Sequence, residues 1–403
     1  MAKKFLSGNE AFAEGVRLAR AQVISAYPIT PQTIVVERLA DMVEDGSLDA
    51  QFVHVESEHS ALSCAMGASS VGARTFTATS SQGLLYMAEC LYYAAGGRFP
   101  IVMMNANRST ALPWNIYGDQ RDSISQLDSG WIQAYAGDAQ EALDLALMSY
   151  YIAEKKQVST PFMANLDGFI LTHTYEVVDI PDQEQADAFL PPFQTDNKMS
   201  LEQPRNLGFT AGPDYNIQFN YKEHKGLLAA RDAILEAEER FAQIIGRRYS
   251  GLLEQYKTED AEYILITLGS IAGLAREVVD TLRSKDIRVG IIRLRYLRPF
   301  PEAELKEALQ GVKALAVLEK DISFGKEGTV YTNVTASLFQ AGIRVPSANY
   351  IGGLGGRNIS EQEITQIFTD LANGGRTFIL LALPRKKSRR RCMRNEFECT
   401  NAQ

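Results

Sequence analysis

Gln22-Val23-Ile24-Ser25-Ala26-Tyr27-Pro28-Ile29-Thr30-Pro31-Gln32-Thr33 reads as a short apolar run that stops in a turn stiffened by two prolines and passes into the helical pattern Gln32–Val43. The same unit of strand, turn and helix returns down to about residue 175. Strands are expected at Gln22–Tyr27, Phe52–Glu56, Thr75–Thr79, Ile101–Asn105 and Pro161–Asn165, with helices at Gln32–Val43, Glu58–Gly72, Gly83–Ala95 and Glu141–Lys155. Strands alternating with helices imply an α/β fold, a doubly wound parallel sheet covered on both faces. The small-residue run Cys64-Ala65-Met66-Gly67-Ala68-Ser69-Ser70 lets a helix pack closely on a strand or on a neighbouring chain.

In an open parallel sheet, ligands bind beyond the carboxyl ends of the strands. Those ends are polar here. They read Tyr27-Pro28-Ile29-Thr30-Pro31, then Glu56-Ser57-Glu58-His59-Ser60, Ser80-Ser81-Gln82-Gly83, and Asn105-Ala106-Asn107-Arg108. Together they offer a hydroxyl, a carboxylate, a glycine turn and a guanidinium to one crevice. Each has a purely structural use as well. A carboxylate in a first helical turn complements the helix dipole by ~0.3–1 kcal/mol, and an Arg at a strand end is commonly a surface ion-pair partner. The functional alternatives are that Glu56 or Glu58 is buried and shifted upward in pKa, fit for proton exchange with a ligand nitrogen, and that Arg108 clamps a carboxylate substrate.

From about 180 to 225 the periodicity fades into Pro, Asp, Gln and Asn, as expected of an extended surface connection. A long amphipathic helix is expected over Lys222–Tyr256. A second series then begins, with strands at Tyr263–Leu268, Val289–Leu294, Ala314–Leu318 and Ser347–Ile351 and helices at Ile271–Ser284, Pro301–Leu309, Thr329–Ala341 and Glu361–Leu371. The domains are therefore read as 1–256, with the connection inside it, and 257–376. Residues 377–403 are read as an atypical basic tail, a disordered end, in which seven Lys or Arg stand against Glu396 and Glu398.

Composition excludes several classes. The net charge is −8 despite that tail, so the body is acidic and poorly suited to displace counterions from nucleic acid. No apolar run reaches the ~18 residues of a spanning helix, and the start Met1-Ala2-Lys3-Lys4 has no apolar stretch behind it. The expectation is a cytoplasmic protein without membrane or nucleic-acid partners. Cys64, Cys90, Cys392 and Cys399 show no Cys-x-x-Cys spacing, so neither zinc nor an iron–sulfur cluster is expected on this chain.

Five blocks stand in order along the chain, Ala26–Thr33, Val55–Ala61, Thr77–Gly83, Asn165–Phe169 and Gly353–Arg357. In these blocks, and from Ser7 to about Asn373, the sequence resembles the alpha subunits of the 2-oxoacid:ferredoxin oxidoreductases, in particular the pyruvate:ferredoxin type. The resemblance implies a thiamine-diphosphate-binding domain of the pyrimidine type, followed by a smaller domain similar to the transketolase C-terminal one. It implies oxidative decarboxylation of a 2-oxoacid, pyruvate in the first instance, with CoA as acyl acceptor and ferredoxin as electron acceptor. By it, Glu58 hydrogen-bonds the aminopyrimidine N1′ and favours the imino tautomer that deprotonates the thiazolium C2. Thr30 and Arg108 bind the substrate carboxylate, while Tyr27, Pro28, Ile29, Ser81, Gln82 and Gly83 line the cofactor pocket.

The Gly-Asp-Gly run with which thiamine enzymes hold a diphosphate and its metal does not occur, since Leu166-Asp167-Gly168 departs from it. The diphosphate and Mg2+ are therefore expected on a beta subunit, and the clusters on it and on a ferredoxin-like subunit, with a gamma subunit completing the complex. Other 2-oxoacids (2-oxoisovalerate, 2-oxobutyrate, 2-oxoglutarate), a thiamine dehydrogenase or transketolase-like subunit, and a non-catalytic scaffold of the same fold remain as alternatives.

Overall fold

The structure, a computed structural model, describes residues 2–202, 204–374 and 378–381. Its strands are β1 Ala2–Ser7, β2 Val23–Ala26, β3 Gln51–His54, β4 Thr75–Thr79, β5 Val102–Asn107, β6 Ile132–Tyr135, β7 Phe162–Asp167 and β8 Tyr175–Ile180. There follow β9 Leu253–Tyr256, β10 Tyr263–Leu268, β11 Val289–Leu294, β12 Tyr296–Arg298, β13 Ala314–Glu319, β14 Ser347–Ile351 and β15 Phe378–Leu380.

The first sheet has the order β12-β6-β7-β5-β4-β2-β3, parallel except for β12, which runs antiparallel to β6. Strands β4, β5, β6 and β7 are buried throughout, as parallel strands with helices on both faces must be. The helix Gly8–Leu18 lies against the helix Ala139–Ala153, where a Cβ on Gly15 would stand 2.6 Å from the Ala146 Cβ, so only glycine permits that approach. The second sheet is β15-β14-β13-β10-β11-β9, antiparallel only at β9.

Several sequence expectations need correction. The helix expected over Lys222–Tyr256 spans Pro213–Ile245, starting earlier with Pro213 in its first turn and stopping at Gly246, whose φ of 87° ends it. Leu253–Tyr256 is then a strand, and it belongs to the second sheet. The boundary drawn at 256/257 therefore cuts through the second sheet's own strands, and β12, from beyond that boundary, completes the first sheet. The connection near 180–225 contains the helix Gln183–Phe189, started by a capping box between Asp182 and Gln185. The single helix expected at Gly83–Ala95 is two, Gln82–Tyr86 and Ala88–Gly96. Phe378–Leu380 pairs parallel with β14, so order continues past residue 376; the basic run 385–403 lies outside the described residues. Among the described residues no helix is long and apolar enough to cross a membrane.

A buried cluster of charges joins the two sheets. Glu141, in the first turn of Ala139–Ala153, accepts from Arg293 Nη1 and Arg295 Nε, both at 2.7 Å. Arg295 also pairs with Glu238 of the long helix, and Arg293 reaches Glu254 at 2.9 Å.

Candidate active site

In the first sheet the chain leaves β2 to form β3 on one side and returns to form β4 on the other, which opens a crevice between the carboxyl ends of β2 and β4. Gln32 spans its floor, its Nε2 donating to the Tyr27 carbonyl at 2.8 Å and to the Ala78 carbonyl at 3.3 Å. Tyr27, Pro28 and Thr30 are exposed along the β2 side and Ile29 is half-buried.

Glu58 opens the helix Glu58–Ser70, with Ser57 as its cap. The Ser57 hydroxyl accepts the Ser60 N–H at 3.2 Å, so the cap is supplied without Glu58. The Glu58 side chain is 7 % exposed. It lies against the turn that follows β4: a Cβ on Gly83 would fall 2.5 Å from Glu58 Oε1 and 2.5 Å from Thr79 Oγ1. Glycine at 83 is thus what lets the carboxylate enter the crevice. Glu56 is placed differently. It is exposed, bonded by the Ser60 hydroxyl, and that bond holds its carboxyl below the usual range, contrary to the upward shift considered for it.

Arg108, at the end of β5, is 5 % exposed. Its Nη1 donates to the Thr30 carbonyl at 2.7 Å and its Nη2 to Gln82 Oε1 at 3.3 Å, while Nε is buried without a partner. Thr30 and Arg108 therefore meet through the Thr30 main chain. No carboxylate lies within ion-pair distance of this guanidinium among the described residues. Burial draws Arg108 below its ordinary pKa, against the pull of Asp122 and Glu58. A nearly buried cation bonded only to neutral oxygens is a ready receptor for an anion.

Ser81 adopts φ 51° and ψ −123°, a conformation few L residues take. Its hydroxyl lies 2.6 Å from the Ser109 carbonyl and 2.6 Å from Gln82 Oε1. Its N–H donates to Asp122 Oδ2 at 3.0 Å. Sequence reasoning missed Asp122. It lies in a stretch without periodicity between β5 and β6, 14 positions after Arg108, and only the fold brings it to the strand ends.

Asp167 ends β7, paired with Asn107 at the end of β5, yet its carboxylate is fully engaged. It accepts from Lys320 Nζ at 3.1 Å, from Ser270 N at 2.8 Å and from Gln120 Nε2 at 3.0 Å. Burial raises its pKa, but the Lys320 charge and the Ser270 bonds prevail and hold it below the usual range. It is a tie between the domains. The glycine loop is a second: the Gly355 N–H donates to Asp119 Oδ2 at 3.0 Å and the Gly355 carbonyl accepts from Asn115 at 3.2 Å, so its use is in turn and junction geometry.

The arrangement offers a buried carboxylate against a glycine turn, an orphaned Thr79 hydroxyl beside it, and a cation with no carboxylate in ion-pair distance among the described residues. Two family models match the chain. "Pyruvate flavodoxin/ferredoxin oxidoreductase, thiamine diP-bdg" covers residues 14–239 and "Pyruvate:ferredoxin oxidoreductase core domain II" covers 261–364. The chain belongs to the 2-oxoacid:ferredoxin oxidoreductases, as an alpha subunit. It is similar to the pyruvate synthase subunit PorA of Methanothermobacter thermautotrophicus, 46 % identical over 95 % of this chain and 99 % of that one. It is also similar to the ketoisovalerate oxidoreductase subunit VorA of Pyrococcus horikoshii, 44 % identical over 92 % and 93 % respectively.

Solved structures agree on the fold. The 2-oxoglutarate:ferredoxin oxidoreductase of Magnetococcus marinus superposes with a TM-score of 0.70 at 20 % identity, over 91 % of this chain and 65 % of that one. A split-gene transketolase in an inactive beta4 tetramer superposes at 0.54 and 11 %, over 93 % of this chain and 100 % of that one. The alpha subunit is thus a thiamine-diphosphate-binding α/β domain followed by the second α/β domain of this family, and it serves a multi-subunit oxidoreductase.

Proposed function

We propose that this alpha subunit serves a complex that converts pyruvate and CoA to acetyl-CoA and CO2, passing two electrons to ferredoxin, in either direction. The observation that carries the reading is the Arg108 guanidinium, nearly buried, without a carboxylate partner among the described residues, and held beside the buried Glu58. In this reading Arg108 and Thr30 grip the carboxylate of a small 2-oxoacid. Among the described residues at these strand ends Arg108 is the one such cation, which suits one carboxylate rather than two.

The crevice fits the pyrimidine end of thiamine diphosphate. Glu58 stands where only glycine leaves room, and the Thr79 hydroxyl and Arg108 Nε are buried without partners. When bound, thiamine diphosphate supplies the carbon nucleophile and electron sink that decarboxylation requires. Of this chain's residues, Glu58 would hold a proton at the pyrimidine N1′, and Tyr27, Pro28, Ile29, Ser81, Gln82 and Gly83 would line the pocket of the ring. Mg2+ and the diphosphate are assigned to the beta subunit, because this chain lacks Gly-Asp-Gly and its Asp167 is committed to Lys320 and Ser270. Iron–sulfur clusters are assigned to partner subunits as well. Tyr86, Tyr92 and Tyr93 are exposed on the two helices that follow the Ser81 turn and suit a subunit covering the cofactor.

Two measurements test this. In the anaerobically purified complex, CoA-dependent viologen reduction is expected to have its highest kcat/KM with pyruvate; a maximum with 2-oxoisovalerate or 2-oxoglutarate overturns the substrate assignment. Arg108→Ala in the same complex is expected to raise KM for the 2-oxoacid about 10- to 100-fold, the worth of ~1.5–3 kcal/mol of charged hydrogen bonding. A loss confined to kcat contradicts the carboxylate assignment.

A further inference from the structure

Asp122 is the most heavily bonded carboxylate near the crevice. Its Oδ2 accepts from the Ser81 N–H at 3.0 Å, the Arg108 N–H at 3.0 Å and Asn105 Nδ2 at 3.3 Å. Its Oδ1 accepts from Asn107 Nδ2 at 2.8 Å and the Ser123 N–H at 2.7 Å. The side chain is wholly buried.

These donors come from two separate strand ends. Ser81 belongs to the turn after β4, and Arg108 follows β5. The Ser81 backbone sits where an L residue is strained, so something must hold it there. The turn it anchors carries Gln82, whose Oε1 accepts from Arg108 Nη2 at 3.3 Å. One carboxylate oxygen therefore fixes both the main chain that bears the guanidinium and the turn that orients it.

We propose that Asp122 is the positioning residue that sets the Arg108 guanidinium against the Ser81-Gln82 turn, and through it the binding of the 2-oxoacid carboxylate. The inference rests on the function proposed above. Asp122 is wholly buried, and its carboxylate is engaged by main-chain and side-chain donors of this chain. It acts through Arg108; the turn it anchors also carries Gly83 against Glu58, so a role at Arg108 is read from a change in KM that exceeds any change in kcat.

The test is a double-mutant cycle in the assembled complex, read as KM against kcat with pyruvate. Asp122→Asn keeps the shape but turns one oxygen into an amide that faces N–H donors, so at least two bonds are lost. It is expected to raise KM about tenfold with kcat within about threefold. In the Arg108→Ala background the same substitution is expected to change KM by less than about twofold, since what it positions is gone. Multiplying effects, or an unchanged KM with a lowered melting temperature, would make Asp122 merely structural and overturn the proposal.

Should Asp122→Asn fail to assemble, Asn107→Ala removes one donor from Oδ1 and decides the matter. It is expected to raise KM about threefold, again only when Arg108 is present; no rise overturns the proposal. A wild-type complex with no 2-oxoacid-dependent reduction overturns the functional reading and this inference with it. An active wild type with independent effects overturns this inference alone.

Discussion

Glu58→Gln in the purified complex is expected to lower turnover at least ~100-fold, with KM for the 2-oxoacid changed little. The substitution keeps the volume of the side chain in a slot that tolerates little change, since even a methyl group on Gly83 would collide with Glu58 Oε1. What it removes is the negative charge. A carboxylate bonded to a ring nitrogen draws a proton onto that nitrogen; an amide does not. Steady-state viologen reduction, compared with the thiamine diphosphate content of the same preparation, separates loss of chemistry from loss of cofactor. A variant that keeps its cofactor and turns over at near wild-type rate removes Glu58 from the mechanism.

Glu141→Ala is expected to cost about 3–5 kcal/mol of stability, seen as a lower melting temperature of the complex. Glu141 lies between Arg293 and Arg295, and truncating it leaves two buried guanidinium groups without their shared counter-ion. Burial alone pushes the Glu141 carboxyl up, but the two arginines outweigh it and bring its pKa to about 2. A carboxyl depressed in the folded state stabilises above its unfolded value, near ~4.3, and that contribution drains away as pH falls towards the folded value. Acid unfolding should therefore steepen between about pH 4.3 and pH 2 in the wild type and flatten there in the variant. A variant melting within about a degree of the wild type would mean that the cluster contributes nothing net, as some buried ion pairs do.

The central strands were legible in the sequence for a physical reason: parallel strands buried on both faces are short runs rich in apolar and β-branched residues, and Thr75–Thr79, Tyr263–Leu268 and Val289–Leu294 stand in the structure with the expected bounds. The edges were not. β1 carries Lys3 and Lys4 and is exposed over most of its length, so Ala2–Ser7 shows no apolar run and becomes a strand only by pairing with β8. β12 has three residues and is a strand because β6 offers it an edge. The long helix begins early because Pro213 suits a first turn, in a stretch whose Tyr215, Ile217 and Tyr221 are exposed and give no amphipathic signal.

The site divides in the same way. The candidate residues Thr30, Glu58, Ser81, Gln82, Gly83 and Arg108 each lie within four positions of a strand end, and strand ends can be located from the pattern alone. Asp122 owes its place to a chain excursion between β5 and β6, and the engagement of Asp167 depends on Lys320 and Ser270 from the other domain. Neither leaves a local trace.

The exchange of edges between the sheets bears on how such a chain could be divided or shuffled between genes. A break at 256/257 would give a first piece carrying β9 with no sheet to join, and it would leave β6 as an open edge, the kind of surface that templates aggregation. The second piece would bear β12 with nothing to cap. The two modules are reciprocal hostages, so recombination that imports one without the other breaks both, and this chain is expected to travel through evolution as a single inheritable unit.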